Sequence, residues 1–344
     1  MRQQFGNPEV TRVRKCGSLR NATLVQDLIN SYGLLLNEKI HVVESLDATE
    51  EELKTFHSSS YIDFFKRVND IDDFDQFTEE QLEFGLAYDC PILSKSFDLV
   101  KTLAGGSISA AKILAAKKCK TAINWFGGWH HAQRDAAEGF CYVNDAVLAI
   151  QTLTRTFNKV LYIDLDIHHG NGVQNAFEYS DKILTLSFHK KSPGFYPGTG
   201  DVDDNGMAKG KYYSINVPFL EGVSHNSYLN FFSKVFDSVI SAFIPNSIVV
   251  QCGADGLNGD PIGESNLTLK TIGECVERIM KCDLPTLYLG GGNWATTITT
   301  YKHFLEYGPT YELHIDQSLQ RDLNTNDYIN KIISQIDSYL EFIV

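Results

Sequence analysis

The chain lacks most of what would tie it to a membrane, an oxidising compartment or a nucleic acid. Its longest apolar runs are only strand-sized, so no transmembrane helix is expected. The first residues, Met1-Arg-Gln-Gln-Phe-Gly-Asn7, form no apolar signal region, and an intracellular protein is expected. Seven cysteines are an odd number without a Cys-x-x-Cys pair, which argues against a disulfide frame or a structural zinc knot. Cys119, Cys252 and Cys282 read as reduced thiols in apolar surroundings, and Cys141 is the one expected near a site. Basic residues are in deficit, 30 against 43 acidic, giving a net charge of -13. With no basic stripe visible, direct nucleic-acid binding is not expected. The acidity is compatible with a cationic ligand steered in by the field, but a surface charged for solubility is the simpler reading. No Pro/Ser-rich linker, low-complexity tract or internal repeat interrupts the chain, so one domain over 1–344 is expected.

What is present is alternation. Apolar runs recur near 121–126, 159–167, 182–189, 212–219, 247–253 and 285–290. Helical patterns lie between and around them, at 94–118, 144–156, 224–243, 267–282 and 326–342. Thr49-x-x-Glu52 resembles a capping box opening a further short helix. The pattern predicts an α/β fold with a central, mostly parallel sheet flanked by helices. In such sheets ligands gather at the carboxyl ends of the strands.

Three of those ends carry chemistry. Asp164-Leu-Asp-Ile-His168-His169 closes one run, Gly127-Gly-Trp-His130-His131 follows another, and Gly253-Ala-Asp255 follows a third. Strand alternation is expected to put Asp164, Asp166 and His168 on one side. Asp166, His168 and Asp255 make a three-ligand set that leaves a coordination position open, as catalytic zinc sites do. Two oxygens and one nitrogen are a hard set, so Fe(II) and Mn(II) remain alternatives to zinc. The bland alternative makes Asp166 a helix cap and His168 a core residue, which suits any one of them better than all three together. His130 and His131 would crowd the ion as further ligands and are assigned to proton handling, with Asp164 orienting one imidazole. Two histidines beside a polarised carbonyl point to hydrolysis of an amide or ester.

These motifs, in this order, resemble the zinc-dependent histone deacetylases of class I, in the arginase/deacetylase fold. The matching segments are Gly127-Gly-Trp-His-His131, Gly139-Phe-Cys-Tyr-Val-Asn-Asp145, Asp164-Leu-Asp-Ile-His-His169, Ser192-Pro-Gly-Phe-Tyr-Pro-Gly-Thr-Gly-Asp201 and Gly253-Ala-Asp255. Tyr88-Asp-Cys-Pro91 and Ser192-Pro-Gly-Phe195 lean toward the isoenzyme-8-like branch. The likeness runs from about Arg20 to the C-terminus. It implies zinc on Asp166, His168 and Asp255, His130 paired with Asp164, and His131 as general acid/base. It also implies Phe140 and Tyr196, with Gly139, lining a narrow tunnel. Two aromatic faces there would sandwich the apolar stem of a lysine. Asp89 would hold substrate backbone N–H groups at the rim. A potassium site would use Asp164, Asp166, His168, Ser187 and Phe188. The implied substrates are acetylated lysine peptides such as histone tails, with corepressor subunits as partners and residence in the nucleus, the cytoplasm being the second place.

Three departures stand against that pattern. Asn171 replaces an aspartate after His-His-Gly, so His131 gains a hydrogen-bond partner without a negative charge. Tyr196 stands where the family usually has phenylalanine. The segment Leu289-Gly-Gly-Gly-Asn293-Trp294 lacks the tyrosine that polarises the acyl carbonyl, and register puts Trp294, or Asn293 beside it, in that place. Loss of one such donor costs about 10²–10³ in rate. Two alternatives to a deacetylase therefore follow, an acyl-lysine-binding scaffold without turnover and an acetylpolyamine amidohydrolase. Asp89 favours a peptide substrate over a polyamine.

Overall fold

A sheet of six strands and the helices packed on its two faces organise the described part of the chain. The computed structural model describes residues 26–27, 29–71, 77–291 and 321–343. The strands are β1 (Thr121–Asn124), β2 (Val160–Asp164), β3 (Ile183–Lys190), β4 (Ser214–Phe219), β5 (Ser247–Gln251) and β6 (Thr286–Leu289). They form one sheet in the order β1-β6-β5-β2-β3-β4, and every pairing is parallel. The helices are α1 (Glu50–Leu53), α2 (Ser59–Arg67), α3 (Glu79–Glu83), α4 (Ser96–Ala115), α5 (Asp145–Leu153), α6 (Asn171–Phe177), α7 (His225–Phe243), α8 (Leu269–Met280) and α9 (Asn326–Leu340).

The alternation of β2 shows why the sheet is covered on both faces. Leu161 and Ile163 enter the cluster packed by α7, α8 and α9, while Val160 and Tyr162 enter the cluster packed by α4 and α5. A parallel strand buried on both sides reads as a continuous apolar run, as this one does. Helix α7 carries Tyr228, Phe231, Phe232, Val235, Phe236, Val239 and Phe243 inward at spacings of three and four. Ser224 caps its start by accepting from the Ser227 N–H. Each fully buried aromatic or aliphatic side chain there contributes roughly 1.5–3 kcal/mol. The Thr49–Glu52 capping box forms as its spacing predicts.

Register levels the carboxyl ends of the strands. Asn124, Leu289, Gln251, Asp164, Ser187 and Asn216 form one row across β1, β6, β5, β2, β3 and β4. The chain order reverses between β2 and β5, so the crevice above that pair is the place where an α/β sheet gathers ligands. Strands β1, β2 and β5 stop short of the expected 126, 167 and 253. The Leu165 and Cys252 N–H groups still bond the carbonyls of Gln251 and Leu289, and one residue further on the N–H groups turn to side chains. The Asp166 N–H donates to Asp164 Oδ1 at 3.2 Å, and the Gly253 N–H to Gln251 Oε1 at 2.7 Å. The strand argument for Asp164, Asp166 and His168 is thereby corrected, since only Asp164 belongs to β2.

Candidate active site

The loops leaving β2 and β5 bring Asp166, His168 and Asp255 together, all buried, with their ligand atoms within 4.8 Å of one another. His168 Nδ1 lies 2.8 Å from Asp255 Oδ2 and 3.1 Å from Asp166 Oδ1. The backbone fixes both carboxylates. The Ile167 N–H donates to Asp255 Oδ1 at 3.0 Å, and the His168 N–H to Asp166 Oδ1 at 3.0 Å. Gln251, at the end of β5, donates to Asp166 Oδ2 at 2.9 Å. Gly253 is required at its place because a Cβ there would stand 2.0 Å from Asp166 Oδ2. Helix α6 starts from Gly170 with no side-chain cap, so Asp166 is not a helix cap.

Two buried carboxylates converging on one imidazole demand positive charge, because unpaired buried charge is costly. A proton on His168 answers part of that demand. Burial opposes charging His168, but its bonds to Asp166 and Asp255 outweigh it and lift the imidazole to about 10. One nitrogen and two oxygens converging this closely fit a divalent cation, and zinc accepts both donor types.

The histidine pair stands beside this group, its ring centroids 4.0 Å apart. His130 Nδ1 bonds Asp164 Oδ2 at 2.7 Å, and the Tyr162 hydroxyl donates to the same oxygen at 2.7 Å. Burial works against charging His130, but the carboxylates of Asp164 and Asp166 prevail and raise it to about 9. His131 goes the other way. Burial and the neighbouring His130 cation hold it well below its usual range, so at neutral pH it is free to accept a proton. Its Nδ1 bonds Asn171 Oδ1 at 2.8 Å. The rings of His131 and His168 are 6.1 Å apart.

Residues passed over in the sequence hold this loop. Asp145, at the first turn of α5, accepts from the Gly128 N–H at 3.0 Å and the Trp129 N–H at 2.8 Å. Asn144 donates to the carbonyls of His130 and Ala132 at 3.3 and 3.0 Å. Both sit in the matched Gly139–Asp145 segment, so the signal was on view without a role. Phe195 was also passed over, and its ring stacks on His168 at 5.1 Å and 2°.

The two aromatics expected to line a tunnel are exposed. Phe140 is 53% and Tyr196 39% exposed. The Tyr196 ring is 5.0 Å from His131 and 6.2 Å from His168. Gly139 and Phe140 turn through positive φ, 54° and 64°. A Cβ on Gly139 would stand 2.6 Å from both His131 Cδ2 and the Tyr196 hydroxyl, so glycine keeps this corner open. Exposed Asp89 spends one carboxylate oxygen on the Gly139 N–H at 2.9 Å. The Tyr196 hydroxyl, without an explanation in the sequence, donates to Glu138 Oε1 at 2.9 Å. Ser187 Oγ bonds His189 Nδ1 at 2.9 Å, and Phe188 is wholly buried. Trp294 and Asn293 lie outside the described residues.

A family model described as histone deacetylase domain matches residues 16–303. Histone deacetylase 8 of Xenopus tropicalis is 41% identical over 94% of this chain and 93% of its own length. The protein of that name from Danio rerio is 40% identical over 96% of this chain and 93% of its own. Histone deacetylase 1 of Homo sapiens is 38% identical over 90% of this chain and 68% of its own.

Proposed function

The chain belongs to the histone deacetylase family, and from that premise we propose that it hydrolyses the acetyl amide of N6-acetyl-lysine in histone tails or other proteins, using zinc. The observation that carries this reading is the buried group of Asp166, His168 and Asp255 beside the His130–His131 pair. When bound by those three residues, zinc supplies a Lewis acid and lowers the pKa of a water in the site. His131, neutral and buried, takes the proton of the attacking water at Nε2. As the C–N bond breaks it returns a proton to the lysine amine, and acetate leaves with the new oxygen. His130, held charged by Asp164, stabilises negative charge on the acyl oxygen. Phe140 and Tyr196 flank the lysine stem, and Asp89 takes substrate backbone N–H groups with its remaining oxygen.

The same reading extends to a potassium ion at Asp164, Asp166, His168, Ser187 and Phe188, supported by the register pairing of Asp164 with Ser187. It takes 1–344 as one catalytic domain, supported by α9, whose Ile329, Ile332 and Ile336 join the core under the sheet. Corepressor subunits and residence in the nucleus belong to it by family likeness. No helix among the described residues is long and apolar enough to cross a membrane.

The test compares turnover of acetyl-lysine peptide, trifluoroacetyl-lysine peptide and acetylspermidine, with zinc and after chelation. Zinc-dependent turnover of the peptides is expected. Turnover of acetylspermidine alone would replace the substrate, and zinc-dependent peptide binding without any turnover would select the scaffold.

A further inference from the structure

Glu138 has no part in the mechanism above, yet its side chain joins the general base to the tunnel wall. His131 Nδ1 bonds Asn171 Oδ1 at 2.8 Å. Asn171 Nδ2 donates to Glu138 Oε1 at 2.8 Å, and the Tyr196 hydroxyl donates to that same oxygen at 2.9 Å. Asn171 and Tyr196 are two of the departures read in the sequence, and Glu138 connects them.

An asparagine beside a catalytic imidazole is ambiguous, because its amide presents either an acceptor or a donor depending on which way it is turned. Turned with the oxygen toward His131, it requires a proton on Nδ1 and leaves the Nε2 lone pair facing the site. Turned the other way, it donates to Nδ1, puts the proton on Nε2 and removes the base. A carboxylate only accepts, so Glu138 captures the amide nitrogen and leaves the oxygen for His131. The residue is itself held. Its N–H donates to the Cys141 carbonyl at 3.0 Å and its carbonyl accepts from the Cys141 N–H at 2.9 Å, closing the turn that carries Gly139 and Phe140.

We propose that Glu138 is a positioning residue of the reaction, locking Asn171 in the one orientation that makes His131 a base, with Tyr196 steadying Glu138 from the tunnel. The proposal rests on the functional reading above. It also explains why a tyrosine suits the tunnel wall of a chain that carries Asn171.

Kinetics and spectroscopy test it separately. Glu138→Ala should lower kcat about tenfold, the scale of one charge-assisted hydrogen bond, with KM and zinc content unchanged. Tyr196→Phe should act in the same direction by roughly two- to threefold, the scale of a weaker neutral-donor bond. The decisive variant is Asn171→Asp. Alone it sets a second carboxylate against Glu138 and should lower kcat. Adding Glu138→Ala should then raise activity, because aspartate holds an acceptor toward His131 without help. Glu138 would thus help in one background and harm in the other, a reversal that a purely structural residue does not produce. Equal losses from Glu138→Ala in both backgrounds would overturn the proposal.

The second readout is the imidazole ¹⁵N spectrum of the metal-free protein, with His131 assigned by comparison with His131→Ala. The Nδ1–H tautomer is expected in the wild type and a mixture in Glu138→Ala. Glu138→Gln, which retains an acceptor, should fall between them and guards against misfolding of the alanine variant. An unchanged His131 signal in Glu138→Ala would also overturn the proposal. Because this spectrum needs no turnover, an absence of deacetylation would sink the functional reading while leaving the Glu138 arrangement decided.

Discussion

His130 and His189 are equally hidden from solvent, 2% and 0% exposed, and they end in opposite states. His130 faces Asp164 and Asp166 and is raised to about 9. His189 bonds a serine hydroxyl and the Gly200 carbonyl, and burial lowers it to about 4. The contrast repeats between neighbours in the chain. His168 meets two carboxylates, whereas His169 bonds Thr199 and Gln174, lies 4.6 Å from the His189 ring, and is held neutral by burial. Burial therefore does not separate a charged histidine from a neutral one. The carboxylates around it do, because only they repay the loss of water around a charge. One flank of the β2 loop is built for cations, the other for neutral imidazoles.

The most drastic way to break that division is to take a carboxylate from the charged flank. Asp255→Ala should abolish zinc retention and turnover together, read by elemental analysis after reconstitution and by peptide deacetylation. Full zinc occupancy in that variant would refute the ligand set. His131→Ala should keep zinc but lose about 10²–10⁴ in kcat, the usual worth of a general acid/base. Near-full activity would remove His131 from its role. Trp294→Tyr works in the opposite direction and should raise kcat toward the roughly 10²–10³ that one oxyanion donor supplies. No gain would mean that another donor already serves the acyl oxygen.

Much of this was legible in the sequence, and for identifiable reasons. Five of the six strands, β2 to β6, show because each is a run buried on both faces, a signal that tolerates errors of a residue or two at either end, and β1 shows by its apolar pattern although it is only partly buried. Asp166, His168 and Asp255 were legible as a group because a helix cap or a core position explains any one of them but not all three together, and the structure brings the three together. The supporting polar chain does not show. Glu138 pairs with Asn171 across 33 residues and with Tyr196 across 58, separations that periodicity cannot encode. The same limit hid the Thr199 partner of His169, 30 residues along the chain.

The smallest effect expected is on stability, and it probes the flank without carboxylates. His189 and His57 both fall from 6.5 to about 4 through burial. Between those pH values the unfolded chain binds protons that the folded chain refuses, so stability is intact above pH 6.5 and is lost as pH falls toward 4. Each residue should cost roughly 2 kcal/mol between pH 7 and pH 5, at about 1.4 kcal/mol per pKa unit. That is a sizeable part of the ~5–15 kcal/mol that holds a domain folded. His57 adds a structural consequence, because its Nε2 accepts the Asn144 N–H at 3.0 Å and Asn144 supports the loop of His130. Denaturant midpoints of the metal-free protein, measured from pH 7 to pH 4, should therefore fall steeply in the wild type. In His189→Gln the starting stability should be lower and the fall shallower, since glutamine takes up no proton. A slope unchanged by His189→Gln, and equally by His57→Gln, would move the acid sensitivity from the neutral imidazoles to the buried carboxylates on the opposite flank.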